Sequence, residues 1–515
     1  MEFNKKSRKR NAILTSGAGV INQLCNVIFS FVYRTIFLYI LSVEYLGISG
    51  LFSNIMQVFS LAELGIGSVI VYRMYQPIKD GNINKTASLM NFYKNFYHTL
   101  GVGILVFGVL LIPFLPYLIH DLNEVPDDVS INTIYFLYVF QSASSYLFVY
   151  KQSLLQADQK GYMVALLGAG TIIIKNAVLI LVLVMSHNYT LTLTAGIFTT
   201  IIINFSFNFY ITAKYKEVFE SKERLDKEER LSIFKDTLAL VCHKIGQTIV
   251  FTSDNLVLSA FVGVAAVGRY SNYSLIILSV AYILNAIMGE FTSSIGNFML
   301  SADMVSKKKL YERLLFLNMW LTSFCTVALY ELLNPFIQVW KGQEYLFNRE
   351  IVLLLSIDFF IRTSRIINGS FINAAGLFVK DRGRPLIEAG INLILSIVLV
   401  KKIGIAGVFI GTIVSVLLTA WWREPYLLKK YLIQNSLWRY YLLVIRWSML
   451  SILVVMVIDN VFAVWPLNFM WLVLRFMVCA VIANAFYTIF MWRNSDFRYY
   501  IVLIKRLITC KWGKI

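Results

Sequence analysis

The sequence predicts an all-α polytopic membrane protein of about fourteen transmembrane helices: two pseudo-symmetric six-helix lobes, then two C-terminal helices. Three observations carry this. Hydrophobic residues make up 58% of the 515 and charged residues only 15%, and the mean hydropathy of +0.67 lies outside the range of soluble domains. The apolar runs are long enough to span a bilayer and are separated by short basic blocks. Two pairs of segments also recur at a similar interval along the chain.

Span starts fall near Ile13, Leu51, Phe96, Ile131, Tyr162, Leu191, Thr237, Arg269, Leu314, Ile351, Leu386, Ile405, Tyr441 and Phe469. The N-terminal "MEFNKKSRKRNAILTSGAGV" starts like a signal peptide but lacks a small-residue cleavage pattern, so it reads as a retained first span. Spans eleven and twelve are divided only by "KKIG", which implies a tight hairpin. The domain reading is residues 1–213 for the first lobe, 214–236 for a cytoplasmic linker helix and 237–432 for the second lobe. Residues 433–492 hold the two additional spans, and 493–515 form a cytoplasmic amphipathic tail lying on the inner leaflet. In the linker, Glu220 with Arg224 and Glu223 with Lys227 have helical spacing.

The net charge of +18 resides in blocks such as "KKSRKR" and "SKKKLYER" between spans. That pattern fits topology signals, excludes a nucleic-acid role and puts both termini in the cytoplasm. The cysteines at Cys25, Cys242, Cys325, Cys479 and Cys510 show no pairing or zinc spacing. No metal-binding histidine pair, Walker motif or dinucleotide fingerprint is present, and short outer loops leave no room for a catalytic domain. The chain therefore does not read as an enzyme and implies no cofactor.

"EYLGISGLFSNIM" from Glu44 parallels "AAVGRYSNYSLII" from Ala265, aligning Gly47 with Gly268. "AGIFTTIII" from Ala195 parallels "AGVFIGTIV" from Ala406. A duplicated six-span unit enters the membrane from the same side each time, so the copies are parallel repeats with a site expected at their junction.

A charge at a helix centre costs about 2.5–3.5 kcal/mol even on a lenient scale, so it faces protein or water. The candidate substrate-binding bases are Arg34, Arg362, Arg365, Lys244 and Lys175. The candidate ion-coupling or charge-balancing acids are Glu63, Asp254, Glu290 and Asp358. In "LSIDFFIRTSRIING" the spacing places Asp358, Arg362 and Arg365 on one face of a single helix. Blander readings stand beside these. Asp358 can neutralise Arg362, Arg34 can pair with Glu63, and Lys244 can snorkel. Glu388 reads as structural, and Arg446 and Arg475 as snorkelling or paired with Asp459. Arg365 has no carboxylate one turn away on its own helix and is the better ligand candidate. Arginine suits an anionic head group through its fork of donors. The carboxylates could instead take H+ or Na+.

"YLGISGLFSNIMQVFSLAELGIGSVIVYRMY" from Tyr45, "LLQADQKGYMVAL" from Leu154, "TSDNLVLSAFVGVAAVGRYSNYSLI" from Thr252 and "EAGINLILSIVLVKKIGIAGVFIGTIVS" from Glu388 resemble the Wzx-type polysaccharide flippases. These belong to the multidrug/oligosaccharidyl-lipid/polysaccharide exporter superfamily. The resemblance implies a twelve-helix core with two additional helices in a bacterial cytoplasmic membrane. It implies transfer of an undecaprenyl-pyrophosphate-linked oligosaccharide to the outer leaflet by alternating access through a cationic cavity, for capsule, exopolysaccharide or O-antigen assembly. It also implies a cavity arginine in the first span, at Arg34, membrane lipids as neighbours, and polymerase and chain-length proteins as pathway partners. The alternatives are a small-molecule drug exporter of the same superfamily and, in another class, a membrane glycosyltransferase or polymerase using the acidic loop around Asp127 and Asp128.

Overall fold

The computed structural model of the protein describes residues 5–63, 66–119, 126, 130–301, 303–375, 377–381, 383–433, 437–463 and 465–508. Asp127 and Asp128 lie outside them. The chain divides into two compact units, Met1–Gly268 and Arg269–Ile515. Nine helical stretches among the described residues are long and apolar enough to cross a membrane.

The first unit runs α1 (Lys5–Ile40), α2 (Val43–Phe59), α3 (Ile66–Lys79), α4 (Ile83–Leu111), α5 (Leu115–Leu118), α6 (Ile131–Ser145), α7 (Gln152–Ala157), α8 (Gly161–Ser186), α9 (Tyr189–Lys214), α10 (Lys216–Glu220) and α11 (Lys227–Phe261). It also holds the first turn of α12 (Val264–Ser301). The second unit holds the rest of α12, then α13 (Met304–Lys341), α14 (Arg349–Thr363), α15 (Ile366–Ala374), α16 (Arg384–Ile403), α17 (Ile405–Leu418), α18 (Ala420–Leu428), α19 (Leu437–Phe462), α20 (Phe469–Met491) and α21 (Ser495–Ile508). Asn82, Asn188 and Asn468 cap α4, α9 and α20 by accepting a backbone N–H.

Every expected span start falls in a helix, but several of the stretches are interrupted rather than continuous, among them that from Ile405, which breaks at Thr419 between α17 and α18. The stretch from Leu51 passes from α2 through a 3₁₀ turn at Ser60–Glu63 before α3 begins. Those from Ile131 and Ile351 break after Ser145 and after Thr363. Serine chemistry contributes to both of these breaks. Ser145 Oγ donates to Ser142 O at 2.7 Å, and Ser364 Oγ donates to Ile361 O at 3.0 Å, each competing with the helical ladder. The broken helices are matched in sequence. Residue 349 follows residue 131 by 218, and residue 363 follows residue 145 by the same 218. The starts of α12 and α2 differ by 221 (264 against 43), as do those of α13 and α4 (304 against 83). The helical pattern thus recurs at nearly the interval that separates Gly47 from Gly268.

The "KKIG" hairpin forms. α16 ends at Ile403 and α17 begins at Ile405, with Gly404 at φ +61°, where glycine is favoured. Gly411 lets α17 approach α16 so closely that a Cβ there would sit 2.6 Å from Ser396 Oγ. Small residues at such crossings are how membrane helices gain packing without a solvent-driven term.

The expected linker helix is corrected. Ser221–Asp226 is not helical, so Glu220 and Arg224 share no helix turn, and Lys227 starts α11, which runs unbroken to Phe261. Tertiary contacts override the local charge pattern. Asn91 Nδ2 donates to Ser221 O at 2.9 Å and Glu223 O at 3.0 Å, and Leu225 is buried. Farther on, Lys85 pairs with Glu229, and Arg73 donates to Ser232 Oγ at 2.6 Å. The tail begins as helix α21, and its Phe497 and Tyr500 dock on its own unit. Both are buried, with rings 5.3 Å from Trp320 and 6.5 Å from Phe316.

Candidate functional site

Arg34 lies in the second half of the apolar stretch Gly17–Ile40 and is half-buried. The preceding Tyr33 interacts electrostatically with both Arg34 and Tyr138. Tyr138 is the middle of a hydroxyl chain, 2.7 Å from Ser49 Oγ and 3.0 Å from the Tyr189 hydroxyl. Phe37 and Tyr45 pack their rings on Tyr189 at 5.6 Å each. Helices α1, α2, α6 and α9 therefore bring a guanidinium and a set of hydroxyls to one region of the first unit. Such groups can bind an oxyanion and the hydroxyls of a sugar.

Glu63 sits at the turn after α2. The Tyr97 hydroxyl donates to it, Tyr146 also hydrogen-bonds it, and Tyr93 donates to Tyr97 at 2.7 Å. Gly67 leaves room for this cluster, since a Cβ there would meet Tyr93 Oη at 2.9 Å. A phenol can donate to a carboxylate and accept from a carboxylic acid, so the ring of tyrosines accommodates Glu63 in either protonation state. Glu63 is thus held by tyrosines, a set of partners not foreseen from the sequence, where Arg34 was weighed as its neighbour.

Lys175 is half-buried on α8, its Cε 3.5 Å from where a Gly196 Cβ would lie on α9, an ordinary contact; the side chain for which Gly196 leaves room is Leu179, at 2.7 Å. Asp254 is buried on α11. The side chains of Lys244 and Glu290 lie outside the described residues.

In the second unit the single helical face is corrected. Asp358 and Arg362 share α14, and Arg362 Nε reaches both Asp358 carboxylate oxygens at 2.8 Å. Arg365 lies beyond the helix break, and its guanidinium turns to Glu424 of α18 at 2.5 and 3.1 Å. Asn318 of α13 stabilises the break by donating to Thr363 O at 3.0 Å and Ser364 O at 3.1 Å.

The Arg365–Glu424 pair belongs to a larger network. Arg384 binds Glu388 at 2.5 Å and Asp381 at 2.7 Å and approaches Glu424 at 3.7 Å, while Arg423 binds Asp381 at 3.1 Å. Thr419 donates to Glu388 at 3.1 Å. The three arginines match the three carboxylates, and all but Arg365 and Arg423 are buried. Asp381, Arg384, Arg423 and Glu424 were missed as partners because "VKDRGR" and "REPYLLKK" also have the composition of topology-setting loops. Glu388 takes the structural place expected of it. Arg475 instead donates to the carbonyls of Trp465 at 2.8 Å and Phe462 at 3.2 Å, and Asp459 pairs with Arg349.

No protein-family model and no curated protein matches the chain. Solved structures do. The fold is that of the MOP-type transporters, and the chain is a multi-pass membrane protein. It is similar to the lipid II flippase MurJ in an inward closed conformation, with TM-score 0.65 and 16% identity over 93% of this chain and 99% of that one. It is also similar to an inward-facing multidrug resistance MATE transporter of the MOP superfamily, with TM-score 0.62 and 13% identity over 82% and 99%. An outward-facing MATE transporter gives TM-score 0.55 and 12% identity over 83% and 97%. These neighbours are transporters, not enzymes.

Proposed function

We propose that the protein is a flippase for undecaprenyl-pyrophosphate-linked oligosaccharides, working by alternating access in the bacterial cytoplasmic membrane with both termini inside. The observation that carries this reading is Arg34, a guanidinium within an apolar span, next to the hydroxyl chain of Tyr138, Tyr189 and Ser49. A pyrophosphate supplies the charge that such a group recognises, and sugars supply partners for the hydroxyls. The likeness to MurJ supports a lipid-linked substrate and spans more of this chain than the likeness to the MATE transporters. Arg362 and Arg365, with carboxylates already in place, serve in this reading as positioning residues, and Lys175 and Lys244 supplement Arg34. Glu63 takes the coupling proton within its tyrosine ring, with Asp254, Glu290 and Asp358 balancing charge. Polymerase and chain-length proteins use the product.

The test is transfer of a fluorescent polyprenyl-pyrophosphate oligosaccharide across reconstituted vesicles. Arg34→Ala is expected to lower the rate at least ~10-fold, the effect of losing one charge-assisted contact, with Arg34→Lys intermediate. Full transfer by Arg34→Ala in properly inserted protein refutes the assignment. Export of a cationic drug with no lipid-linked transfer refutes the function.

A further inference from the structure

The second unit contains a cavity of about 720 Å³ that the proposed transport reading does not use. Its walls come from α13, α19 and the start of α21. Along α19 they include Arg439, Leu442, Ile445, Arg446, Met449 and Leu450, and Glu312 and Asp496 stand on the opposite walls. The lining is therefore mostly apolar with four charges.

Those charges are unequally partnered. Glu312 has Lys308 at 4.0 Å and lies within electrostatic reach of Arg439. Asp496 lies within reach of Arg313 and Lys309. Arg446 is exposed on α19 and makes no ion pair among the described residues. It sits two turns, about 10 Å, beyond Arg439 along the helix, on nearly the same face. The stretch Leu437–Phe462 is apolar enough to span, so Arg446 is a guanidinium within the bilayer's depth facing an apolar-walled opening. Bases there reach toward the head-group level and pair with phosphate.

We infer that this cavity is a binding site for a bilayer glycerophospholipid, its phosphodiester held by Arg446 and Arg439 and its acyl chain along Leu442, Ile445 and Met449. The lining's two acids lie among Lys308, Lys309, Arg313 and Arg439, so the phosphodiester gives Arg446 the anionic partner it does not have among the described residues, and the apolar walls match the chain. The occupant is a resident lipid, not a transported one, so the inference stands independently of the transport reading.

The experiment is native mass spectrometry of the full-length protein, delipidated in detergent and titrated with phosphatidylglycerol. One saturable adduct is expected. Arg446→Gln is expected to weaken it at least tenfold while Arg446→Lys retains most of the affinity. Leu442→Trp, which fills the cavity and leaves the arginine in place, is expected to abolish it. Diacylglycerol, which lacks the phosphodiester, is expected not to bind. Equal binding by Arg446→Gln or Leu442→Trp overturns the site, and so does equal binding of diacylglycerol. Undecaprenyl phosphate displacing phosphatidylglycerol at far lower concentration overturns the resident-lipid assignment.

Discussion

Gly47 on α2 and Gly268 on α12 face each other's helix reciprocally. A Cβ on Gly47 would lie 1.9 Å from Val264 O and 2.6 Å from Val264 C. A Cβ on Gly268 would lie 2.3 Å from Val43 O and 3.2 Å from Gly47 N. The close atoms are backbone, which cannot rotate aside. An alanine at Gly47 therefore forces the two first turns apart by about 1.5 Å to regain the 3.4 Å of ordinary contact. Overpacking of this kind costs about 1–3 kcal/mol. On purified protein in detergent, Gly47→Ala and Gly268→Ala are each expected to lower the apparent unfolding temperature by at least ~3 °C. Ser49→Ala, which loses one hydrogen bond of the hydroxyl chain, should cost less. The double substitution is the sharper readout. Once one alanine has parted the turns, the second meets an opened gap, so the two effects should fall well short of additive. Unchanged unfolding in either single variant, or full additivity in the double, refutes the reasoning.

Glu424→Gln leaves the Arg365 guanidinium without its bidentate partner in a largely buried place. A loss of about 3–5 kcal/mol is expected, read as reduced recovery of monodisperse protein after heating, with Arg365→Met plus Glu424→Met recovering part of it. Asn318→Leu removes both donors from the Thr363 and Ser364 carbonyls, and about 1–3 kcal/mol of destabilisation should appear in the same assay. Glu63→Gln keeps the hydrogen bonding of the tyrosine ring but cannot take up a proton. Transfer driven by a pH gradient is expected to fall while Arg34-dependent substrate binding persists, and unchanged gradient dependence would remove Glu63 from coupling. Asn91→Leu should free the Ser221–Asp226 segment, read as faster limited proteolysis there with the transmembrane helices intact.

The all-helical membrane fold was legible because hydropathy is a sum over about twenty residues, and a single misplaced side chain does not change it. The Gly47–Gly268 correspondence was legible for a related reason: glycine is selected where two backbones must nearly touch, and that constraint leaves a mark at both ends of the contact. The helix breaks were not. "SASSYLF" and "RTSRIIN" carry no proline, and what decides between continuation and a break is a few hydrogen bonds, one of them from Asn318, 45 residues before Thr363. The same range of action hid the partner of Arg365. Spacing on one helix identifies Asp358 for Arg362, but Glu424 lies 59 residues away from Arg365, on another helix. A buried charge read from sequence therefore indicates that a counter-charge or water must be near it, without indicating which. Arg446 marks the limit of that rule. No ion pair reaches it among the described residues: Asp459 on its own helix pairs with Arg349, and the cavity's acids Glu312 and Asp496 lie among Lys308, Lys309, Arg313 and Arg439, so the inferred partner comes from outside the polypeptide. In a bilayer the most abundant anionic group at that depth is a lipid phosphate.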